Sequence, residues 1–465
     1  MAQLLKKFWH SRDFWLIVVG ALALVLGAFW VTGHFIQPAP PKHIVMATGP
    51  EGGAYEGFAK QYQRALAAEG IELELRATNG ALDNLRLLKD DHAGVALAIV
   101  QGGVAQADAA AQRSSSEAQD DDAPDPNDDL MSLAALYYEP LWVFYRHKST
   151  FDRLQPLRGL RIAIGRPGSG ARVLAEQVLA ANGIDARNST LVTLAANEAA
   201  QALEAGQVDA ALLVGAPESR LITHLMHVRG LKLMSFAQAE AYARQFPYLT
   251  RLVLPEGSFD LGANLPAQDV VLVSPTANLV VRDDIHPALI TLLMSVATEL
   301  HGGSGLLHRD GEFPSPKGLD IGLSLDAERY MKSGPSFLHQ HLPFWIAVWI
   351  DRLIVMLIPL VAVLLPVMKL APSVYAWRVK SRIYRWYGRL KELECDIDLA
   401  GASLNRADLA SRLDAIEHGA SQIPTPLSYA ENLYNLRAHI ELVRQRLMHL
   451  PQAEGSREVE SKTAP

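Results

Sequence analysis

One order of elements is written twice in this chain of 465 residues, and that repeat limits the fold more than any other feature. In the first copy Ile44-Val45-Met46-Ala47 reads as a short buried strand. Thr48-Gly49-Pro50-Glu51-Gly52-Gly53-Ala54-Tyr55 is a turn rich in residues that accept unusual backbone angles. Phe58, Tyr62, Ala65 and Leu66 then fall on one helical face, and Ile71, Leu73 and Leu75 alternate as a strand. Asn79-Gly80 turns the chain into a short helix carrying Leu82, Leu85 and Leu88, and Val95 to Val100 is a third strand. The second copy runs from the strand Leu160 to Ile164 through the turn Gly165-Arg166-Pro167-Gly168-Ser169-Gly170. A helix with Val173, Leu174, Val178 and Leu179 follows, then strand Leu191-Val192, helix Ala196 to Ala205 and strand Ala210 to Val214. Two like α/β units predict a bilobed protein with a cleft between them. Open α/β sheets bind ligands at strand C-termini, where both glycine-rich turns lie.

The second turn comes close to a P-loop, since four residues separate Gly165 from Gly170. Ala171 stands where that motif needs lysine, however, and Arg172 where it needs serine or threonine, which argues against nucleotide hydrolysis. A helix N-terminus there still suits an anion such as a carboxylate, with Ser169 adding a hydroxyl and Arg172 a cation. The same turn also suits packing alone. A net charge of −7 argues against nucleic acid as a partner. The single cysteine, Cys395, excludes an internal disulfide and any multi-cysteine metal site. His339 and His341 suit a metal only on extended chain, and the acidic stretch Arg113 to Asp129 lacks the central glycine of an EF-hand. It reads as a solvated loop. Neither a cofactor nor a metal is expected, and no Ser/His/Asp order or nucleotide motif points to an enzyme.

Several of these residues carry a family resemblance. Ala47-Thr48-Gly49 with Gly52-Gly53-Ala54-Tyr55 resembles the opening signature of the TAXI family of solute receptors from TRAP transporters. Thr78-Asn79-Gly80 with Asp83-Asn84-Leu85, the strand end Ala96 to Gln101, Pro167-Gly168-Ser169-Gly170 and Asp209 to Gly215 match as well, so the likeness covers about residues 42 to 300. Leu342-Pro343-Phe344-Trp345 and Arg385-Trp386-Tyr387-Gly388 resemble the C-terminal region of the long members anchored at both ends. The resemblance implies a type II-like periplasmic-binding-protein fold. It also implies a small organic acid or amino acid as ligand, such as glutamate, glutamine or 2-oxoglutarate. Carried over residue by residue, Tyr55 would contact the ligand beside Thr48 and the Gly52-Gly53 backbone. Asn79, Asn84 and Gln101 would add polar contacts from the first lobe. Ser169 with the Gly168 and Gly170 amides would add those of the second, and Gly215 would border the cleft. Each polar residue has a local alternative too: Asn79-Gly80 suits a plain turn, Asn84 a helix cap, and Gln101 a backbone partner at a strand end. Two hydroxyls usual in the family are missing, at Ala81 and Ala171. A lost hydrogen bond costs about 1–3 kcal/mol where its partner stays buried, so the ligand is expected to be altered, weakly held or absent.

Hydropathy adds a membrane frame. Phe14 to Val31 is an uncharged apolar run preceded by Lys6, Lys7 and Arg12, and the bulky Phe29-Trp30 near its end favours an uncleaved anchor over a signal peptide. Leu353 to Met368 is a second uncharged run, with Asp351-Arg352 at its outer end and Pro359 and Pro366 expected to kink it. Lys369, Arg378, Lys380, Arg382, Arg385, Arg389 and Lys391 follow without an acidic residue among them, a patch suited to anionic membrane lipid. The positive-inside rule then predicts a two-pass protein of the bacterial inner membrane, with both termini cytoplasmic and the binding domain in the periplasm. The expected domains are residues 1–33 (N-terminus and first span), 34–342 (binding domain), 343–371 (second span) and 372–465. Lobe 1 takes about residues 42–138 and 250–342, including the runs Leu252 to Leu254 and Val270 to Val273, and lobe 2 takes 139–249. Apolar spacing from Leu404 to Leu447 predicts a C-terminal cytoplasmic helical hairpin before a polar tail.

Two functions fit. One is a tethered receptor that hands a solute to TRAP membrane subunits. The other is a ligand-binding sensor or scaffold whose cytoplasmic helices signal or recruit a partner, which the anchors at both ends favour.

Overall fold

The computed structural model describes residues 19–30 except 21 and 28, 38–115, 126–399, 406–423, 425 and 427–449. Eight of the eighteen residues of the first apolar run lie outside that set, as do most of the acidic stretch, Leu404 and the tail. Two compact units divide the chain, one formed by Gln37–Ile350 and the other by the remainder.

The first unit holds two five-stranded sheets of the same plan. In lobe 1 the strands β1 (His43–Ala47), β2 (Glu72–Arg76), β3 (Leu97–Gln101), β4 (Leu130–Tyr138) and β12 (Thr276–Arg282) are ordered β2-β1-β3-β12-β4. In lobe 2 the strands β5 (Leu141–Tyr145), β6 (Arg161–Ala163), β7 (Thr190–Val192), β8 (Ala210–Val214) and β9 (Lys232–Leu233) are ordered β7-β6-β8-β5-β9. In each sheet the fourth-placed strand runs antiparallel to its neighbour β3 or β8 and comes directly from the other lobe. This is the bilobed periplasmic-binding-protein fold.

Alternation along β1 explains the layers. Ile44 and Met46 face a core with α1 (Ala54–Ala68) and α8 (Pro287–His301). Val45 and Ala47 face another with α2 (Ala81–Lys89) and α3 (Val104–Ser115). A central parallel strand with helices on both faces must be apolar on both sides, and Met46 is fully buried. Lobe 2 repeats this: Val143 and Tyr145 face α4 (Gly170–Ala181), while Trp142 and Phe144 face α5 (Ala196–Glu204) and α6 (Arg220–His227).

Two short segments join the lobes, Glu139-Pro140 and Ser274-Pro275. Proline has no N–H to continue a ladder, so β4 ends where β5 begins and β11 (Val270–Ser274) ends where β12 begins. The Glu139 amide donates to the Pro275 carbonyl at 3.0 Å, tying the crossings together. The boundary in the second half differs from the sequence expectation. β10 (Thr250–Leu254) and β11 pair antiparallel with each other, and Leu254, Val270 and Leu272 pack on Trp142 and Phe144 of lobe 2. The strand that completes the lobe 1 sheet is instead β12, hidden in the sequence because it continues the apolar run of β11 past a proline. The helix α8 does return to lobe 1. His339 and His341 lie on a short helix, Phe337–His341, not on extended chain.

In the second unit one helix, Phe344–Leu399, is helical throughout, including at Pro359 and Pro366. Among the described residues it is the one helix long and apolar enough to cross a membrane. Its last turns join Arg406–Ser421 and Ala430–His449. Ile383, Leu390, Leu393 and Ile397, with Leu409, Leu413 and Ile416 and with Leu436, Ile440, Val443 and Leu447, form a common core. Spacings of three and four residues give each helix one apolar seam. The predicted hairpin is therefore two thirds of a three-helix bundle, fastened outside by Arg444 to Asp414 and Glu417 at 2.7 and 2.6 Å.

Candidate functional site

The residues singled out on the two glycine-rich turns come together, and most of them grip protein. At the N-terminus of α2 the amides of Leu82 and Asp83 donate to the Gly168 carbonyl of lobe 2 at 3.1 and 3.2 Å. Gln101 Nε2 donates to the Gly170 carbonyl at 3.1 Å. The approach is tight: a Cβ on Gly80 would lie 3.1 Å from Ser169 Cα, and one on Gly168 (φ +81°) 2.5 Å from Asp83 Oδ1. The α2 end thus receives a carbonyl from the opposite lobe, and the two turns form an interlobe clasp.

The remaining polar members are used locally. Ser169 caps α4, accepting from the Arg172 amide at 3.2 Å and donating to the Arg166 carbonyl at 2.7 Å. Arg172, expected as a cation for ligand, is spent on Glu176 at 2.8 Å and Thr193 at 3.0 Å. Asn79 donates to Asp83 at 2.7 Å. Asn84 is fully buried, accepting from Thr78 at 2.6 Å and donating to the Ile99 carbonyl at 2.8 Å. Thr48, also buried, bonds the Arg76 carbonyl at 3.2 Å. Tyr55 donates to Glu139 Oε2 at 2.8 Å. Gly52, Gly53 and Gly215 alone among the eleven line a cavity.

That cavity lies between the lobes and has a volume of about 910 Å³. Three helices begin at its wall: α1 at Gly52–Ala54, α5 at Ala195–Asn197 and α6 at Ser219–Leu221. Each N-terminus carries roughly half a positive charge, met in part at α5 by Glu198, which accepts from the Ala195 amide at 2.8 Å, and at α6 by the Ser219 cap. No side chain caps α1, whose N-cap is Gly53. Arg166 and Arg220 line the cavity from lobe 2, and neither has an ion-pair partner among the described residues. Exposed Glu51 and Glu218 stand at the wall too, the latter accepting from the Leu306 amide at 3.2 Å. Arg166 and Arg220 with the α6 end are the groups of this wall that suit an anion.

Beneath this wall Tyr137 and His301 stack with ring centroids 5.6 Å apart, and Phe58 lies 4.6 Å from the imidazole. Burial holds His301 neutral, its pKa lowered to about 3, and raises the Tyr137 phenol well above its ordinary value. Glu139, on the crossing segment, is 4% exposed, and burial raises its carboxyl to about 7 against the pull of the Tyr55 hydrogen bond. Sequence reasoning passed over Arg166, Arg220, Glu139 and His301. Arg166 sat inside a quoted loop, and Glu139 immediately preceded a proline after a long apolar run, a buried acid with a reason to be noticed. Nothing local marked Arg220 or His301.

A hinge of two crossing strands with a cavity between the lobes defines the class, a chain of the bilobed periplasmic-binding-protein fold. Residues 46–299 match the model of the NMT1-like family, more than half of the chain, and the protein belongs to that family. Solved structures similar to it include the periplasmic aliphatic sulphonate binding protein SsuA from Escherichia coli, at 13% identity over 56% of this chain and 72% of that one, with a TM-score of 0.35. The alkanesulfonate-binding protein SsuA from Xanthomonas axonopodis pv. citri, bound to MOPS, is 17% identical over 56% and 74%, also with a TM-score of 0.35. An ancestral arginine-binding protein bound to arginine is 13% identical over 56% and 92%, with a TM-score of 0.35.

Proposed function

We propose that this protein is a membrane-tethered extracytoplasmic receptor for a small organic anion, a carboxylate of the organic-acid or amino-acid kind, serving TRAP-type secondary transport. The observation that carries the reading is the interlobe cavity, where three helix N-termini meet Arg166 and Arg220, neither of them ion-paired among the described residues. A carboxylate there would exchange water for charge-assisted hydrogen bonds. The TAXI-like motifs bear on the transport role, and the charge flanking the two apolar runs bears on a two-pass inner-membrane topology with the binding domain in the periplasm. On this reading Gln101, Gly168 and Gly170 serve the ligand by closing the lobes around it, and Gly52, Gly53 and Gly215 by lining its cavity.

A second reading, a sensor or scaffold, draws on one observation: the C-terminal helices have a packed core of their own, which a receptor that only delivers solute does not need. Thermal melts of the full-length protein in detergent test the shared premise. Binding to the folded state raises Tm by mass action. Small carboxylates should raise it and their neutral amides should not; a panel in which no anion moves Tm overturns the receptor reading.

A further inference from the structure

Among the described residues three buried polar atoms in lobe 1 have no hydrogen-bond partner, Tyr62 Oη, Tyr137 Oη and His301 Nε2. They belong to one cluster: the His301 ring lies 6.0 Å from that of Tyr62 and 5.6 Å from that of Tyr137, with Phe58 against both Tyr137 and His301. Tyr62 is fully buried, and Tyr137 and His301 are each 5% exposed, yet these two line the interlobe cavity. Folded proteins leave few buried polar atoms unpaired, because each costs free energy. Three together, two of them on residues that line a binding cavity, mark a place for a hydrogen-bonding group that does not come from this chain.

The chemistry of that place differs from that of the facing wall. Arg166 and Arg220 stand on the lobe 2 side and favour negative charge. The cluster carries no charge: its imidazole is held neutral by burial and its phenols stay protonated. An ammonium group would find two phenols and a neutral ring, and the nearest carboxyl, Glu139 beside Tyr137, is already bonded by Tyr55. A hydroxyl, oxo or amide group can both donate to and accept from such partners. Resting on the receptor reading above, we infer that Tyr137 and His301 form a specificity subsite for an uncharged polar group at the far end of the bound anion. The ligand is then a hydroxy-, oxo- or carbamoyl-carboxylate, and a carboxylate ending in an ammonium is discriminated against.

Calorimetry on the full-length protein in detergent tests this with matched acids of about four to six carbons: the plain alkanoate, the ω-hydroxy acid and the ω-amino acid. The ω-hydroxy acid of the fitting length should bind about tenfold tighter than the other two. Tyr137→Phe should remove that advantage while the plain alkanoate binds as before. Because the variant deletes an unpaired hydroxyl and keeps the ring, its ligand-free Tm should equal or exceed that of the parent, a result opposite to that of a hydroxyl with a structural bond. His301→Phe, which also keeps a ring in the stack, provides the second variant. If all three acids bind equally, or the ω-amino acid binds best, or the hydroxyl preference survives both substitutions, the subsite is overturned and the receptor reading stands. If none of the acids binds, the receptor reading fails and the subsite with it.

Discussion

At Glu139 a carboxyl group is buried on the segment that joins the lobes, where Tyr55 donates to it at 2.8 Å. Burial raises its pKa from 4.5 to about 7. Between those values the folded protein keeps a proton that the unfolded chain has released. That contribution to stability is fully present below 4.5 and is lost as pH rises through 7. His301 works the other way. Its pKa is lowered from 6.5 to about 3, so stability is lost as pH falls below 6.5. The two slopes oppose each other in the acid range, and the parent's melting curve cannot separate them. Glu139→Gln can. Its stability relative to the parent should rise between about pH 5 and about pH 8, by roughly 1–3 kcal/mol. A difference that stays constant with pH would show that Glu139 is not the group that titrates.

The element that matters most to closure is the pair of glycine turns. Their place in the chain was legible, since Asn79-Gly80 and Gly168-Ser169-Gly170 follow apolar strands and precede helical spacing. What each turn touches was not. The Gly168 carbonyl meets amides more than eighty residues away, and no local pattern encodes such a partner. The same limit hid β12, where Pro275 divides one apolar run between two lobes, and the third helix of the C-terminal bundle, which continues a helix read as a membrane span. The clasp makes a prediction of its own. Gly168→Ala places a Cβ 2.5 Å from Asp83 Oδ1 at a φ of +81°, a backbone region that side chains disfavour by about 1 kcal/mol or more. Spin labels on exposed Gln61 of lobe 1 and Arg187 of lobe 2, in a Cys395→Ser background, should then report a longer interlobe distance. An unchanged distance would mean that the turns do not hold the lobes shut.

For the molecule as a whole, the bilobed plan followed from strand runs repeated in one order. Cavity chemistry emerged only once both lobes were placed around it: Arg166 and Arg220 come from one lobe, Tyr137 and His301 from the other. The two-span topology predicts that reporters fused after Gly33 and after Arg389 give opposite signals, and the same signal at both would exclude it. The central claim is that the cavity between the lobes seats an anion through those arginines and helix ends. Calorimetric titration of a carboxylate that raises Tm, into the parent and into Arg166→Gln with Arg220→Gln, tests it most directly. The account predicts a loss of affinity of at least about tenfold in the double variant, at unchanged ligand-free Tm. Equal affinity in parent and variant would contradict it.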